Sequence, residues 1–324
     1  MHKRLCKSRM EYIRSHSATV CYDYFMKPQC HICHSESDYL LNKEEYRLYQ
    51  CPKCGLIFLY PMLEDEYLKE EVYSAKSGYQ GHRAKEDLAN MPPTKRFDAI
   101  LAYLGSASGK RILDIGASNG EFLYLLKKRG ADTYGVEINT KTASAARRLG
   151  LNIFVGFLED AKFSDNYFDI VHLGDILEHV TDPRKLLIEC WRILKPDGTL
   201  IIRTLNMDCF WAKATLFFYR LFGIPWSAVT PPHHIHFFSW DNMNQLLDQC
   251  GFRLDWHRFE VPPALMYELG SLHLVKRYKK SRNVRDLLFA GFAFALYVVL
   301  WSFDRLMTPL KRKDNEVLAM YIKE

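Results

Sequence analysis

The stretch Arg111-Ile-Leu-Asp114-Ile-Gly116-Ala-Ser118-Asn-Gly120-Glu-Phe122 constrains the fold more than any other part of the chain. Arg111 to Ile115 is a short apolar run ending beside a carboxylate. A turn of small residues follows, and Phe122, Leu123, Leu125 and Leu126 then give a helical apolar stripe that Gly130 can close. The pattern predicts strand, tight turn, helix. Such a helix start offers free N–H groups and positive dipole to an anion. Small residues at Gly116, Ser118 and Gly120 let a ligand lie close to the backbone. A second predicted strand, Thr133 to Ile138, carries Glu137, an acid about 20 positions past the turn, where a ribose diol can be held.

Strands and helices keep alternating after it: a helix over Thr142 to Leu149, strands at Asn152–Gly156 and Tyr167–Leu173, a helix opened by Asp182 and Pro183, and a strand at Thr199–Arg203. That alternation predicts a doubly wound, Rossmann-like α/β sheet. Phe252 to Val261 and Asn315 to Glu324 read as two further strands.

The order Asp-x-Gly-x-Ser-x-Gly at 114–120 resembles the first motif of class I S-adenosylmethionine methyltransferases, with Ser118 where that family usually has glycine. The run "FDIVHLGDILEHVTDPRKLLIECWRILKPDGTLIIRTLN" resembles the same class, and together they cover about 100 residues. The resemblance implies an antiparallel last strand pair and S-adenosyl-L-methionine as cofactor. It implies that Asp114, Gly116, Ser118 and Gly120 hold the amino-acid end and Glu137 the ribose. Glu159 or Asp160 would meet the adenine amino group, and Ile138 and Gly174 would complete the wall.

Nine cysteines include two CxxC pairs, Cys30-His-Ile-Cys33 and Cys51-Pro-Lys-Cys54, with seventeen residues between them. Two such knuckles present four thiolates to one ion and leave no open position, the pattern of a structural Zn2+ ribbon. The alternative is four buried or redox-active thiols. No apolar leader is read at the N-terminus, so a reducing cytoplasmic setting is expected.

The expected organisation is a basic lead-in (1–27), the ribbon (28–60), a linker with a packing helix (61–108) and the core (109–261). An aromatic and histidine-rich insert (207–238) interrupts the core. A hydrophobic helical insertion (262–314) separates the core from its last strand (315–324). Pro231-Pro-His233-His234-Ile-His236-Phe-Phe238-Ser239 lies in the insert, and Ser239 is placed to cap a helix. Histidine titrates near neutrality, so His234 or His236 is the expected base for a hydroxyl acceptor. The alternative is hydrogen bonding between insert and core.

Leu287 to Phe303 is 17 residues without a charge, at the lower limit for a bilayer crossing. Both flanking strands are expected in one sheet, and basic residues stand on both sides, which argues against a simple crossing. A monotopic helix at the inner membrane face is expected, or else a lid or dimer helix packed on Trp211–Phe222. Net charge is +6, gathered at 3–14, 276–285 and 311–313. Such clusters suit anionic lipid or RNA. No Asn-Pro-Pro-Tyr or Pro-Cys motif follows the fourth strand, which argues against base methylation. The leading expectation is methyl transfer, at oxygen, to a small-molecule, sugar or lipid-linked acceptor. RNA methylation and a non-catalytic membrane scaffold are the alternatives.

Overall fold

The computed structural model describes residues 27–43, 45–74, 95–222, 229–260, 283–307, 314 and 316–324. The basic lead-in and most of the two later basic clusters lie outside the described residues, as do the tyrosine and proline positions of 75–94.

The core is a seven-stranded sheet in the order β10-β11-β8-β7-β4-β5-β6. Its strands are β4 (Arg111–Ile115), β5 (Asp132–Glu137), β6 (Asn152–Val155), β7 (Phe168–Gly174), β8 (Leu194–Leu205), β10 (Phe252–Glu260) and β11 (Glu316–Lys323). β4 pairs in parallel with both β5 and β7, while β11 runs antiparallel between β8 and β10. The winding reverses at β4, and in such sheets a crevice opens beyond the strand C-termini at that point.

Successive residues feed opposite faces. Ile112, Ile170, Ile201, Leu318 and Met320 pack with Phe97, Ile100, Phe122 and Leu126 on one side. Leu113, Val171, Leu200, Ile202, Val317 and Ala319 pack with Leu187, Cys190, Met243 and Leu246 on the other. The first layer is supplied by α1 (Asp98–Leu104) and α2 (Glu121–Lys127). The second comes from α4 (Pro183–Ile193) and α6 (Trp240–Gln249), with α3 (Thr140–Arg148) beside β5 and β6. Side-chain caps set the helix starts. Asn139 accepts from the Lys141 and Thr142 amides, Asp182 from Lys185, and Ser239 and Asn242 form a reciprocal box.

The cysteine module is a separate antiparallel sheet, β1 (Asp38–Lys43), β2 (Tyr46–Gln50) and β3 (Ile57–Leu59). Its fourth strand comes from far along the chain: β9 (His236–Phe237) pairs with β3. The histidine insert is therefore part of the module's sheet, and the sequence period did not reveal that.

The insert opens with α5 (Phe210–Phe222), and α7 (Val284–Met307) lies against it. Phe289, Leu296, Leu300 and Trp301 pack on Trp211 and Ala212. Other apolar side chains of the pair stay exposed, among them Phe217, Leu221, Leu288, Phe292, Val299 and Leu306. Among the described residues no helix is long and apolar enough to cross a membrane.

Candidate active site

The turn after β4 is held by the neighbouring strand. The Gly116 and Ala117 amides both donate to the Val136 carbonyl. Gly116 sits at φ +74°, where any side chain is strained, and a Cβ there would lie 2.1 Å from Ile176 Cδ1, so the Ile176 side chain would have to move. Ser118 also adopts positive φ, 51°, a conformation that favours glycine. Its hydroxyl oxygen is buried without a hydrogen-bond partner.

Glu137, at the end of β5, is buried and accepts the Ser118 amide at 2.7 Å and the Asn139 amide at 2.7 Å, one on each oxygen. Each oxygen keeps a second lone pair. Burial pushes its carboxyl up, against the pull of those two amides. A nucleoside cofactor fits here on two counts: an anchored acid beside a bare backbone turn, and an orphaned hydroxyl in the turn itself.

Asp114 is tied inward. Its Oδ1 lies 2.7 Å from Nδ1 of buried His172 on the adjacent strand, so one oxygen is committed to the protein. Gly174, at the end of β7, leaves room for that ring, since a Cβ there would lie 2.6 Å from His172 Cε1. Ile138 is half-buried and packs toward the module's apolar cluster. Glu159 is exposed and bridges Lys185 at 3.0 Å, while Asp160 beside it is exposed on the turn after β6.

A second group of polar side chains gathers beside the turn. The loop leaving β7 runs Asp175-Ile176-Leu177-Glu178-His179, and its Ile176 is the residue packed on Gly116. Glu178 is buried, accepts the Thr204 hydroxyl at 2.8 Å, and is pushed up to about 8 by desolvation and the nearby charge of Asp175. Donor atoms of Glu178, His179 and His234 lie within 4.8 Å of one another, a set able to take a divalent cation. The His179 and His234 rings are 4.8 Å apart. Burial, with His179 and His233 nearby, holds His234 well below its usual value, so it is a neutral imidazole.

Tyr73 joins the two groups. Its hydroxyl is 2.9 Å from His179 Nδ1 and donates to the His233 carbonyl, while its own carbonyl accepts the Asn139 side-chain amide at 2.8 Å. Sequence reasoning gave Glu178 and His179 no role, although Glu178-His179 directly after a sheet strand was a visible signal; Tyr73 was one of several tyrosines that could line a cleft or simply pack.

His236 departs from its expected role. It is fully buried, and its Nε2 lies 2.6 Å from His31 Nδ1 in the first knuckle, which braces the core against the cysteine module. The geometry therefore does not present it to an acceptor.

The four cysteines converge. Cys30 and Cys54 sulfurs are 3.4 Å apart, as are Cys33 and Cys51, and all four lie within 4.8 Å of one another. A tetrahedral zinc with Zn–S of about 2.3 Å needs sulfurs about 3.8 Å apart, so the set fits. The Ile32 and Cys54 amides point at Cys30 and Cys51 sulfur, and Gly55 takes φ +77° after the second knuckle.

A parallel sheet that reverses at its first strand, closes on an antiparallel pair and carries a glycine turn facing an anchored acid defines a class I S-adenosylmethionine-dependent methyltransferase fold. A family model described as a methyltransferase domain matches residues 82–256, more than half of the chain, and the chain belongs to that family. Curated relatives include the ubiquinone biosynthesis O-methyltransferases of Alkalilimnicola ehrlichii, 34% identical over 120 residues (35% of this chain, 49% of that protein), and of Actinobacillus pleuropneumoniae, 31% over 122 residues (34% and 52%). The chain thus spans about half the length of the curated relatives it matches. Among solved structures, an S-adenosylmethionine-dependent methyltransferase from Mesorhizobium loti aligns over 73% of this chain and 100% of its own, at 15% identity and TM-score 0.46. One from Archaeoglobus fulgidus aligns over 69% and 92%, at 19% identity and TM-score 0.44.

Proposed function

We propose that the chain transfers a methyl group from S-adenosyl-L-methionine to a hydroxyl oxygen of a small-molecule acceptor. One observation carries this reading: Tyr73, the Glu178–His179 pair and His234 come from three separate segments yet meet beside the turn that Gly116 opens. The relatives' names, which specify O-methylation, support oxygen as the acceptor atom.

When bound, the cofactor supplies an electrophilic sulfonium methyl, and this chain supplies alignment and a proton acceptor. Gly116, Ser118 and Gly120 would lie under the amino-acid end, with Asp114 stiffening the turn through His172. Glu137 would take the ribose hydroxyls on its spare lone pairs. Ile138, Asp160 and Gly174 would wall the nucleoside; Glu159 is engaged by Lys185 and is the weaker candidate. The acceptor hydroxyl would sit against the His179–His234 pair. Of the two expected bases His234 is retained, because it stands beside His179 and Glu178, while His236 serves as a brace.

Zn2+ in the cysteine set would be structural. The apolar side chains exposed on α5 and α7 favour an amphiphilic acceptor, such as a lipid-linked or quinone-like phenol, met at a membrane surface.

The test uses the full chain with methyl-labelled S-adenosylmethionine against catechols, nucleotide sugars, polyprenyl-linked lipid extract and tRNA. Label in a phenol, sugar or lipid is expected. Label only in tRNA, or no heat on titration with S-adenosylhomocysteine, overturns the reading.

A further inference from the structure

We propose that the cysteine module is a working part of the acceptor site, because its metal holds the His233–His234 corner in place. This rests on the zinc and acceptor readings above.

β9 is only two residues long, and it belongs to the module's sheet rather than to the core. A two-residue strand has no stability of its own. On one side it is held by the module: Ile57 and Phe58 pair with Phe237 and His236, the Leu59 amide donates to the Ile235 carbonyl at 2.9 Å, and His31 meets His236. On the other side it grips the site, since the Ile235 and His236 amides both donate to the Glu178 carbonyl, at 2.9 and 3.1 Å. The strap therefore runs from the first knuckle and β3, through β9, to the residue at the centre of the acceptor group.

One face of the module, with Ile32, Leu56 and Phe58, packs into the main core cluster, and its other face follows the same strap. Val229, Ile235 and Phe237 are buried in a cluster with Leu41, Tyr46, Leu48, Ile57 and Leu59 of the module and with Leu68, Val72 and Tyr73 just after it. The cofactor turn stands elsewhere, on Ala117, Leu123, Ala143, Ala146, Leu151 and Ile153. A sheet as small as β1–β3 cannot bury enough surface to fold without help, and a structural metal supplies that free energy directly. Losing the ion should dissolve the shared cluster and free Tyr73 together with His233 and His234. The Gly116–Gly120 turn should remain.

The experiment compares the purified chain as isolated, after stripping with a zinc chelator, and after zinc is added back, with Cys54→Ser as a second route to the stripped state. Bound metal is measured in each, along with amide hydrogen exchange and S-adenosylhomocysteine affinity by calorimetry. Stripping is expected to speed exchange in peptides covering 229–239 and 68–74 by about tenfold or more, while 112–126 stays protected. S-adenosylhomocysteine affinity should move by less than about threefold, and zinc should restore protection. Unchanged exchange over 229–239 after stripping overturns the coupling and leaves the zinc reading standing. Collapse of 112–126 together with 229–239 overturns it too, because the metal then supports the whole fold. A chain that holds no metal and does not respond to added zinc overturns both. Failure of the methyltransferase reading is read separately, as absent S-adenosylhomocysteine heat in the metal-loaded chain.

Discussion

The two sides of the crevice are built differently. Gly116, Ser118, Gly120 and Glu137 belong to two successive strand–helix units, and their geometry is fixed by backbone bonds between β4 and β5. Tyr73, Glu178, His179, His233 and His234 come from the module's trailing segment, the loop after β7 and the insert, and side chains and carbonyls hold them together. A fold that must bind one cofactor can encode that site locally. A site that must suit a particular acceptor can be assembled from insertions on the same scaffold without disturbing the first. The two sides touch where Ile176 packs on Gly116, where Tyr73 bonds Asn139, and where Ile138 joins the module's apolar cluster.

The hardest test of that separation is Gly116→Val. The new side chain would need positive φ and would drive into Ile176. Strain and overpacking of roughly 3 kcal/mol together should weaken S-adenosylhomocysteine binding about 100-fold and displace the Glu178 loop as well. Normal affinity in calorimetry would mean that the turn is not the cofactor seat. Next, Glu137→Ala removes two short amide bonds and the ribose partner. Hydrogen bonds to a charged group are worth about 1.5–3 kcal/mol each, so affinity should drop about 10- to 100-fold, while exchange protection over 229–239 stays as it was. Loss of protection there would erase the distinction between the two sides.

Tyr73→Phe sharpens it from the other direction. Its backbone link to Asn139 survives, but the hydroxyl on His179 and the His233 carbonyl is lost. Turnover on the acceptor identified by the labelling panel should fall about tenfold with cofactor affinity unchanged. An equal loss in both would place Tyr73 on the cofactor side. The remaining effect is on pH dependence. Glu178 is raised from 4.5 to about 8 in the folded chain. Between those values the folded chain keeps a proton that the unfolded chain has released, so this group makes stability fall as pH rises. The slope from one proton is no more than ~1.4 kcal/mol per pH unit. Denaturant titrations at several pH values should show that part of the slope vanish in Glu178→Gln, and an unaltered slope would mean that Glu178 is ionised in the folded state.

Legibility in the sequence followed the same line. The β4 turn, the strand carrying Glu137, both knuckles and the Asp182 and Ser239 caps were readable, because each depends on residues close in the chain or on a strict period, while the antiparallel last pair was implied by the family resemblance. Glu178-His179 stood in plain sight, but nothing local told which of several histidines would meet it. His234 and His236 stood as equal candidates for the base, yet the bonding of His236 to His31 sends the two to different places. The uncharged run in 287–303 announced an apolar helix without showing that one face packs on Trp211 while another stays bare.

By itself the sequence determined the strand–helix alternation, the glycine turn, the acid that follows it and the four-thiol spacing, since short-range spacing and backbone sterics leave little choice there. Only the tertiary structure decided that a two-residue strand from the insert joins the cysteine module and carries a histidine corner to Glu178. Such a pairing is stabilised by partners far away along the chain, and the energy that selects it is spread over a shared apolar cluster that no local pattern contains.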